Sequence, residues 1–549
     1  MSNLFNKSRI AGWLDQSKRH VSLRKLNAQV SKAAEDSRTP GPVGLRTSLR
    51  LRDSVLECGC PLPLFLIPQL FRKLPSGSRD MLKRSVGLIG ILVLTGCASF
   101  TERRSPAQDE GVPAAPASFA QSNATTSPSA ASSSEPWWRV FKDPALDSLI
   151  ERLNDANPDI EAALARIDQS FAILGITRGA LLPTVLGDAS AGRRRDSVNN
   201  LLFPIATPEY ARYRIGVGAS WEIDLWGRVR GGVKRDRLTA ESSELQFKAL
   251  LLSLQANLAR QYFAIQSAEA ELGILREAVV IREENLKLQQ SRLQLGSGVE
   301  VDVARARVEA LNAKASEEAA VRSLGKLRHA IAALVGVAPS EFKDSLANKN
   351  GAKPMAQTVP AGVPSSLLER RADLRAADRT LRAAAIQVGV RKSDFLPTIT
   401  LTGSGGLASL KASSLFSTDS GLFDIGPQID VPIFQAGTRK SAVAQAQAQW
   451  REAAANYRGA LLTAVREVDD ALLDIKSLKS ESTVRHAAVN AATQAAQAAT
   501  RRHDSGLASY FEVLDAERER LQARLMENIL LGEQQAAAVS LIQALGGSW

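Results

Sequence analysis

The sequence predicts a membrane protein of mixed α and β structure, assembled from two copies of one unit of short strands and long helices. Three observations support this fold class: a secretory signal that ends at a cysteine, a self-similarity at an offset of 210 to 214 residues, and two proline-free stretches of roughly 70 residues each. Short alternating strands are typical of membrane β-barrels, and long proline-free stretches are typical of coiled helices.

Net charge does not indicate a nucleic-acid partner, although the formal net charge of the chain is +12. Residues 1–80 carry fourteen Lys and Arg against six Asp and Glu, and Lys83 and Arg84 add two more positive charges. Residues 97–549 are therefore close to neutral, and they contain no basic stripe of the kind that follows a nucleic-acid backbone. We expect no nucleic-acid partner.

The few cysteines and histidines predict neither a disulfide framework nor a metal site. Cys58 and Cys60 stand one residue apart, and no second cysteine pair completes a zinc site. The four histidines are scattered without metal-ligand spacing. No nucleophile–base pair or phosphate-binding glycine loop stands out either, so no catalytic residue, metal or cofactor is predicted and an enzyme is the least favoured reading.

A secretory signal is predicted at residues 81–96. Lys83 and Arg84 precede an apolar run, Val86 to Leu94, that is too short to span a bilayer as a helix. A charged start, a short apolar run and small residues at the cut are typical of an exported protein.

The signal ends in Leu94-Thr95-Gly96-Cys97, which is similar to the lipobox of bacterial lipoproteins. We interpret Cys97 as the site of a covalent lipid, and Ala98 after it favours the outer membrane. Residues 1–80 are then an extension that the mature protein lacks. Residues 97–136 are rich in Ser, Ala, Pro and Thr, a composition that cannot build a core, so we expect a flexible tether.

The body is a duplication. Leu182-Pro183-Thr184 matches Leu396-Pro397-Thr398 at an offset of 214, and Gly296 matches Gly506 at an offset of 210. We place the first copy at residues 137–340, a linker at 341–363 and the second copy at 364–549.

Each copy begins with a helix and continues into two strands. The predicted helices cover 144–180 and 365–394, and the predicted strands cover 184–192, 213–225, 398–407 and 423–433. Apolar residues alternate with polar ones along these strands, as in membrane-spanning strands. Four strands cannot close a useful pore, and lipid forbids an open sheet edge, so several chains would share one barrel.

A long helical hairpin completes each copy. Residues 227–296 and 437–506 contain no proline and would form helices of about 100 Å. Apolar residues recur at seven-residue spacing, which predicts coiled-coil packing; they are Leu238, Leu245, Leu252 and Ala259 in the first stretch and Leu461, Val468 and Ile475 in the second. Glycines then allow a tight turn into a shorter helix that ends near Val335 or Leu545.

Three segments resemble the TolC-like outer-membrane factors, and specifically their NodT-type lipoprotein efflux subfamily. The segments are Trp137-Trp138 with Phe141-Lys142-Asp143-Pro144, Trp221-Glu222-Ile223-Asp224-Leu225-Trp226-Gly227-Arg228, and Pro364 to Leu374. The family usually has Pro where Ala372 stands and Glu where Asp378 stands, both mild departures.

This resemblance, over residues 137–546, implies a homotrimer in the outer membrane of a Gram-negative bacterium. Four strands from each chain would form a twelve-stranded transmembrane β-barrel, continued into the periplasm by an α-helical barrel. Such a channel passively conducts substrates from an inner-membrane RND-type transporter, delivered through a periplasmic adaptor protein. Outer membrane lipid would surround it, and the lipid on Cys97 would anchor it.

The resemblance also implies a periplasmic gate of acidic residues after the second hairpin turn, at Glu512 and Asp515. Threefold repetition would place carboxylates in rings that favour cations. Arg501-Arg502 offer partners for them. The first copy has Asp302 and Arg305 at the equivalent places, so we assign the gate mainly to the second copy. The alternative, a solvated helix face, stays open.

The hairpin tips are the predicted adaptor contacts. They are Gly296-Ser297-Gly298-Val299 and Gly506-Leu507-Ala508-Ser509. Small residues would let a partner's helix tip interdigitate, and Val299 and Leu507 offer apolar anchors. Plain turn residues remain the other interpretation.

Two further functions keep a place beside the channel. A periplasmic coiled-coil adaptor or scaffold lipoprotein would explain the long helices and the anchor, but not two copies of strand, loop and strand. A protein-secretion conduit of the same fold would differ only in its pump partner.

Overall fold

A computed structural model of the 549-residue chain describes residues 136–195, 209–342 and 370–547. The predicted extension, the signal, the lipid site Cys97 and nearly all of the tether and linker lie outside these residues. Their predicted boundaries therefore stay predictions.

Both copies contain a 22-residue helix, two strands and a long helical hairpin in the same order, which confirms the duplication, and α1 has no counterpart among the described residues of the second copy. After a short 3-10 turn at Trp137–Phe141, the first copy consists of α1 (Pro144–Ala156), α2 (Pro158–Gly179), β1 (Thr184–Arg195), β2 (Glu209–Glu222), α3 (Arg228–Gln294) and α4 (Glu300–Leu334). The second consists of α5 (Ala372–Ser393), β3 (Thr398–Ser409), β4 (Gly421–Asp430), α6 (Thr438–Asp504) and α7 (Tyr510–Ala544).

One predicted helix is wrong in its continuity, because residues 144–180 form two helices. Asn157 has extended backbone angles and separates α1 from α2, and Pro158 occupies the first position of α2. A proline is tolerated there because its missing N–H would have no partner in the first helical turn. The Asn157 side chain accepts from the amides of Asp159 at 2.8 Å and Ile160 at 3.2 Å.

The four strands form one antiparallel sheet in the order β1-β2-β3-β4. Register follows from the pairs Val185↔Ala219 and Val217↔Gly405, and each pair shares one face of the sheet. The resulting apolar face carries Val185, Ile215, Val217, Trp221, Leu401, Leu407, Phe423, Ile425 and Ile429. The polar face carries Asp188, Ser190, Arg212, Arg214, Thr398, Thr400, Thr402, Ser404, Asp424, Gln428 and Asp430.

Long helices pack by small and branched side chains at coiled-coil spacing. α3 and α6 each contain 67 residues, about 100 Å of helix. Leu461 and Val468 are buried seven residues apart and belong to a cluster that includes Ala464, Ala471 and Leu541 of α7. The predicted long helices and their heptad packing are confirmed.

The two copies are also linked directly. α7, from the second copy, packs on α3, from the first. Asn528 donates from Nδ2 to the carbonyl of Ser267 at 2.8 Å, and Arg260 donates to Gln543 at 2.7 Å. None of the helices in the described ranges has an apolar stretch long enough to cross a bilayer.

Candidate functional site

The junction between sheet and helix is held by acidic side chains at the end of β2. Asp224 accepts from the amides of Val229 at 3.1 Å and Arg230 at 2.9 Å, which supplies partners for two donors at the start of α3. Glu222 accepts from Nε of Arg228 at 3.1 Å. This sets the direction in which α3 leaves the sheet.

Two tryptophans tie the same junction to its neighbours. Nε1 of Trp221 donates to the carbonyl of Leu181 at 3.0 Å, just before β1. Nε1 of Trp226 donates to the carbonyl of Pro397 at 2.6 Å, just before β3. The motif recognised in the sequence therefore joins the strand entries of both copies.

The opening aromatic motif fixes the N-terminal segment to α3. Trp137 is buried and donates from Nε1 to Gln255 at 3.2 Å. Asp143 caps α1 by accepting from the Ala145 amide at 3.0 Å, and it also accepts from the Tyr262 hydroxyl at 2.8 Å. Burial and this hydrogen bond raise the pKa of Tyr262.

Both hairpin tips have the same turn geometry. Gly296 and Gly506 each have a φ of +73°, in the left-handed region that favours glycine. The Ser297 amide donates to the Arg292 carbonyl at 3.0 Å, and the Leu507 amide donates to the Arg502 carbonyl at 2.8 Å. Each long helix thus ends in a closed loop that presents the predicted contact residues.

Apolar side chains are exposed at these tips. Val299 is 58% exposed and Leu507 is 72% exposed. These two residues are the predicted apolar anchors, and in the described chain both are open to a partner. Their role in contacting an adaptor stays a prediction.

The two predicted gate carboxylates have different surroundings. Glu512 lies in the first turn of α7 and forms an ion pair with Arg502 of the same hairpin at 3.2 Å. Both side chains are about half exposed. Of the two arginines offered by the sequence, Arg502 is therefore the one that the structure brings to Glu512.

Asp515 lies in a shallow cleft of about 500 Å³ between α4 and α7. Arg305 lines the same cleft, and its guanidinium lies 4.5 Å from the ring centroid of Phe511. Arg305 and Asp515 are equivalent positions of the two copies, so the duplication sets opposite charges across one cleft. Their role as a gate stays a prediction.

A charge network in the wall of this cleft was not predicted from the sequence. Glu309 of α4 is only 8% exposed; it accepts from Arg518 of α7 and lies 3.8 Å from Nε of Arg282 of α3. Burial and the Arg518 charge lower the pKa of Arg282, and burial raises the pKa of Tyr510 to about 12. Three helices therefore meet at one carboxylate near the tips.

The position of Glu309 among the buried alanines of α4 is a sequence signal for this network. Glu309 lies three residues after buried Ala306 and four before buried Ala313. It therefore occupies the apolar stripe of α4, where a charge needs a partner. Across the described residues, no group of three His, Cys, Asp or Glu side chains has the arrangement of a metal site.

Comparisons with known proteins agree along the whole body. A profile of the family described as outer membrane efflux protein matches residues 149–337 and 363–547. The solvent efflux pump outer membrane protein SrpC of Pseudomonas putida is 29% identical over 475 residues, covering 85% of this chain and 98% of SrpC.

Two further relatives are similar to the same extent. The probable outer membrane lipoprotein SilC of Salmonella typhimurium is 28% identical over 469 residues, covering 84% of this chain and 97% of SilC. The solved structure of the outer-membrane channel OprN has a TM-score of 0.74 at 28% identity, covering 81% of this chain and 99% of the OprN chain.

Proposed function

The chain belongs to the outer membrane efflux protein family, and we propose that three copies of it together form one complete channel. It is an outer-membrane efflux channel protein, similar to SrpC and OprN over almost their full lengths. Each chain supplies four strands, so three chains would close a twelve-stranded barrel. Their helical hairpins, with α3, α4, α6 and α7 from each chain, would form a twelve-helix tunnel in the periplasm.

The two-faced sheet is the observation that carries this proposal. Its apolar face suits lipid and its polar face suits a water-filled pore. In the described part of the chain, β1 and β4 each pair on one side only. Lipid offers no hydrogen-bond partners to unpaired backbone groups, so these strand edges must pair with the strand edges of other chains.

Conduction needs no bond chemistry from the chain. The polar face offers hydroxyls, amides and paired charges, such as Asp188 and Arg214 at 3.4 Å. These groups solvate a polar or charged solute as it passes. The channel is passive, and the driving force comes from an inner-membrane pump.

At the periplasmic end, Glu512 and Asp515 would form the gate, and the hairpin tips would contact the adaptor. SrpC is named as part of a solvent efflux pump. By extension, this chain would work as the outer part of a tripartite assembly with a periplasmic adaptor and an RND-type transporter. The transporter would then select the substrate.

A covalent lipid on Cys97 would anchor each chain of the trimer. The lipobox-like segment before Cys97 and the description of SilC as a probable lipoprotein support this. Intact mass of the mature protein tests it, and we expect a chain that begins at Cys97 and carries added acyl mass. A mature protein that retains residues 1–80, or an unmodified Cys97, would contradict the anchor.

The other functions considered are less well supported. An adaptor or scaffold does not need a sheet with an apolar and a polar face. A protein-secretion conduit has the same architecture, but SrpC is named for an efflux pump.

Matched substitutions on the two faces test the channel. Ile425 lies on the apolar face of β4, and Thr402 lies on the polar face of β3 at the same height, paired with Gly426. Ile425→Arg places a charge in lipid at a cost of about 2–4 kcal/mol per chain, so we expect loss of membrane insertion. Thr402→Arg should insert normally and reduce cation conductance in planar bilayers.

The native chain should migrate as a trimer on SDS gels when it is not heated and as a monomer after heating. It should also conduct in planar bilayers. Normal insertion of Ile425→Arg combined with failure of Thr402→Arg would reverse the two faces. A native chain that stays monomeric and does not conduct would overturn the proposed function.

A further inference from the structure

Two arginines extend from the apolar face of the sheet at its loop end. Arg193 and Arg195 share this face with Val185 and Ile215, because side chains two residues apart along a strand point the same way. The Arg193 side chain is 82% exposed, and Glu209, which pairs with Arg195 across the two strands, lies 3.9 Å from Arg193 with its side chain 53% exposed. Among the described residues, two arginines and one carboxylate meet on this face, which gives them a net charge of about +1.

Aromatic residues locate this patch relative to the bilayer. Trp221 and Tyr213 lie on the apolar face eight residues apart on β2, about 26 Å along the strand. At a tilt of about 40° this spans about 20 Å of height, comparable with the apolar band of about 25 Å that aromatic girdles flank. Arg193 pairs with Ala211, beyond Tyr213 on the loop side.

Charge and position together indicate the ligand. Residues just beyond an aromatic girdle lie at the level of the lipid headgroups. Arginine binds phosphate through two parallel hydrogen bonds, and it is favoured where phosphate is recognised. The loop end is opposite to the helices, so this leaflet faces the outside of the cell.

We propose that Arg193 and Arg195 bind the phosphate groups of a lipid in the outer leaflet of the outer membrane. This inference rests on the proposed membrane-spanning barrel. The arginines would hold phosphorylated lipid against the outside of the channel and fix its depth in the membrane.

Purified full-length protein in non-ionic detergent tests the proposal. Native mass spectrometry would measure binding of bis-phosphorylated lipid A and of lipid A without phosphates. We expect Arg193→Gln with Arg195→Gln to weaken binding of the phosphorylated lipid about 25-fold at low salt, roughly fivefold for each arginine. Binding of the dephosphorylated lipid should not change.

Arg212→Gln is the matched control. Arg212 lies at the same height on the polar face, paired with Gly192, and should not affect lipid binding. An equal loss with Arg212→Gln, or no loss with the double variant, would overturn the proposal. Displacement of the lipid by an equal concentration of inorganic phosphate would assign the site to a free anion instead, and would overturn it too.

Trimer formation and conductance keep this test separate from that of the channel. The double variant should still form heat-sensitive trimers that conduct. If the double variant does not form trimers, the arginines act between chains and the proposed lipid site is wrong. If the native chain forms no trimer and does not conduct, the proposed function fails, whatever the lipid result.

Discussion

Arg371 donates from Nη1 to a carboxylate oxygen of Glu467 at 2.7 Å, and this contact ties the start of α5 to the middle of α6. The same guanidinium donates to the Ala544 carbonyl at 3.0 Å, at the end of α7. In the first copy, Asn157 stands at the equivalent position and donates to the Leu334 carbonyl at 2.8 Å. In both copies a side chain thus donates to the last carbonyl of the second hairpin helix. The donor is an amide at the end of α4 and a guanidinium at the end of α7.

Arg371→Gln should destabilise the second copy. Arg371 is buried, and Gln removes the charge that pairs with Asp373 and Glu467. Both carboxylates are partly exposed, so we expect a loss of about 2 kcal/mol, measured by thermal melting with circular dichroism. Arg375→Gln, an exposed arginine on the next turn, is the control and should melt like the native chain.

The effect of Arg371→Gln should also depend on pH. Burial alone would raise the pKa of Asp373, but the hydrogen bond and charge of Arg371 hold it below its ordinary value of 3.8. A lowered carboxyl pKa stabilises the fold above that value and loses this effect as the pH falls below it. The difference between native and variant stability should therefore narrow below about pH 4. A difference that stays constant to about pH 2 would contradict the pairing.

Gly336→Ala should disrupt the junction between α4 and α1. Gly336 has a φ of +74°, and a Cβ there would lie 2.1 Å from the carbonyl oxygen of Ala156. Strain and overlap together should cost on the order of 3 kcal/mol or more, measured as a lower melting temperature. Gly325→Ala, inside α4 with open space around it, should be neutral or slightly stabilising. Equal melting of the two variants would contradict the close approach.

Glu512→Ala with Asp515→Ala should raise single-channel conductance and weaken block by cations. Removing both carboxylates leaves the entrance without its acidic rings and frees Arg502 from its ion pair. Planar bilayer recordings measure both properties. Asp302→Ala, at the equivalent place in the first copy, should have a smaller effect. Unchanged conductance in the double variant would remove the two carboxylates from the gate.

Ala508→Trp should abolish efflux without affecting membrane insertion. Ala508 lies in the second tip next to exposed Leu507, where a bulky ring would exclude a partner's helix tip. Drug susceptibility of cells measures efflux, and the amount of trimer in outer membranes measures insertion. Leu410→Trp, exposed at the loop end beyond β3, should leave both unchanged. Normal resistance with Ala508→Trp would contradict the adaptor contact.

The long helices were predictable because their signals are local and repeated. Predicted ranges of 227–296 and 437–506 agree with α3 and α6 to within two residues at each end. Heptad spacing and glycine turns act over a few residues, and nothing distant overrides them. The alternating strands were predictable for the same reason, and their register confirms the two faces.

Contacts between distant parts of the chain were harder to predict. Glu309 meets Arg518 across 209 residues, and Arg371 meets Glu467 across 96. The place of Glu309 in the apolar stripe of α4 indicates that this carboxylate needs a partner, but it does not identify Arg518 as that partner. The Glu309–Arg518 contact forms only when one copy packs against the other, and the Arg371–Glu467 contact forms only when α5 packs on α6 within the second copy. Single-sequence patterns carry no information about that packing.

The three helices that both copies share have equal lengths of 22, 67 and 35 residues, although the sequences of the two copies differ at most positions. The four-residue difference between the copies falls between the first strand and the long helix of each copy. Evolution has therefore tolerated insertions and deletions in the strands and loops of the sheet while keeping the helices at a fixed reach. A single added residue in a long helix would turn its contact face by about 100° and shift its tip by about 1.5 Å. The length of each long helix therefore sets both the contact face and the position of its tip.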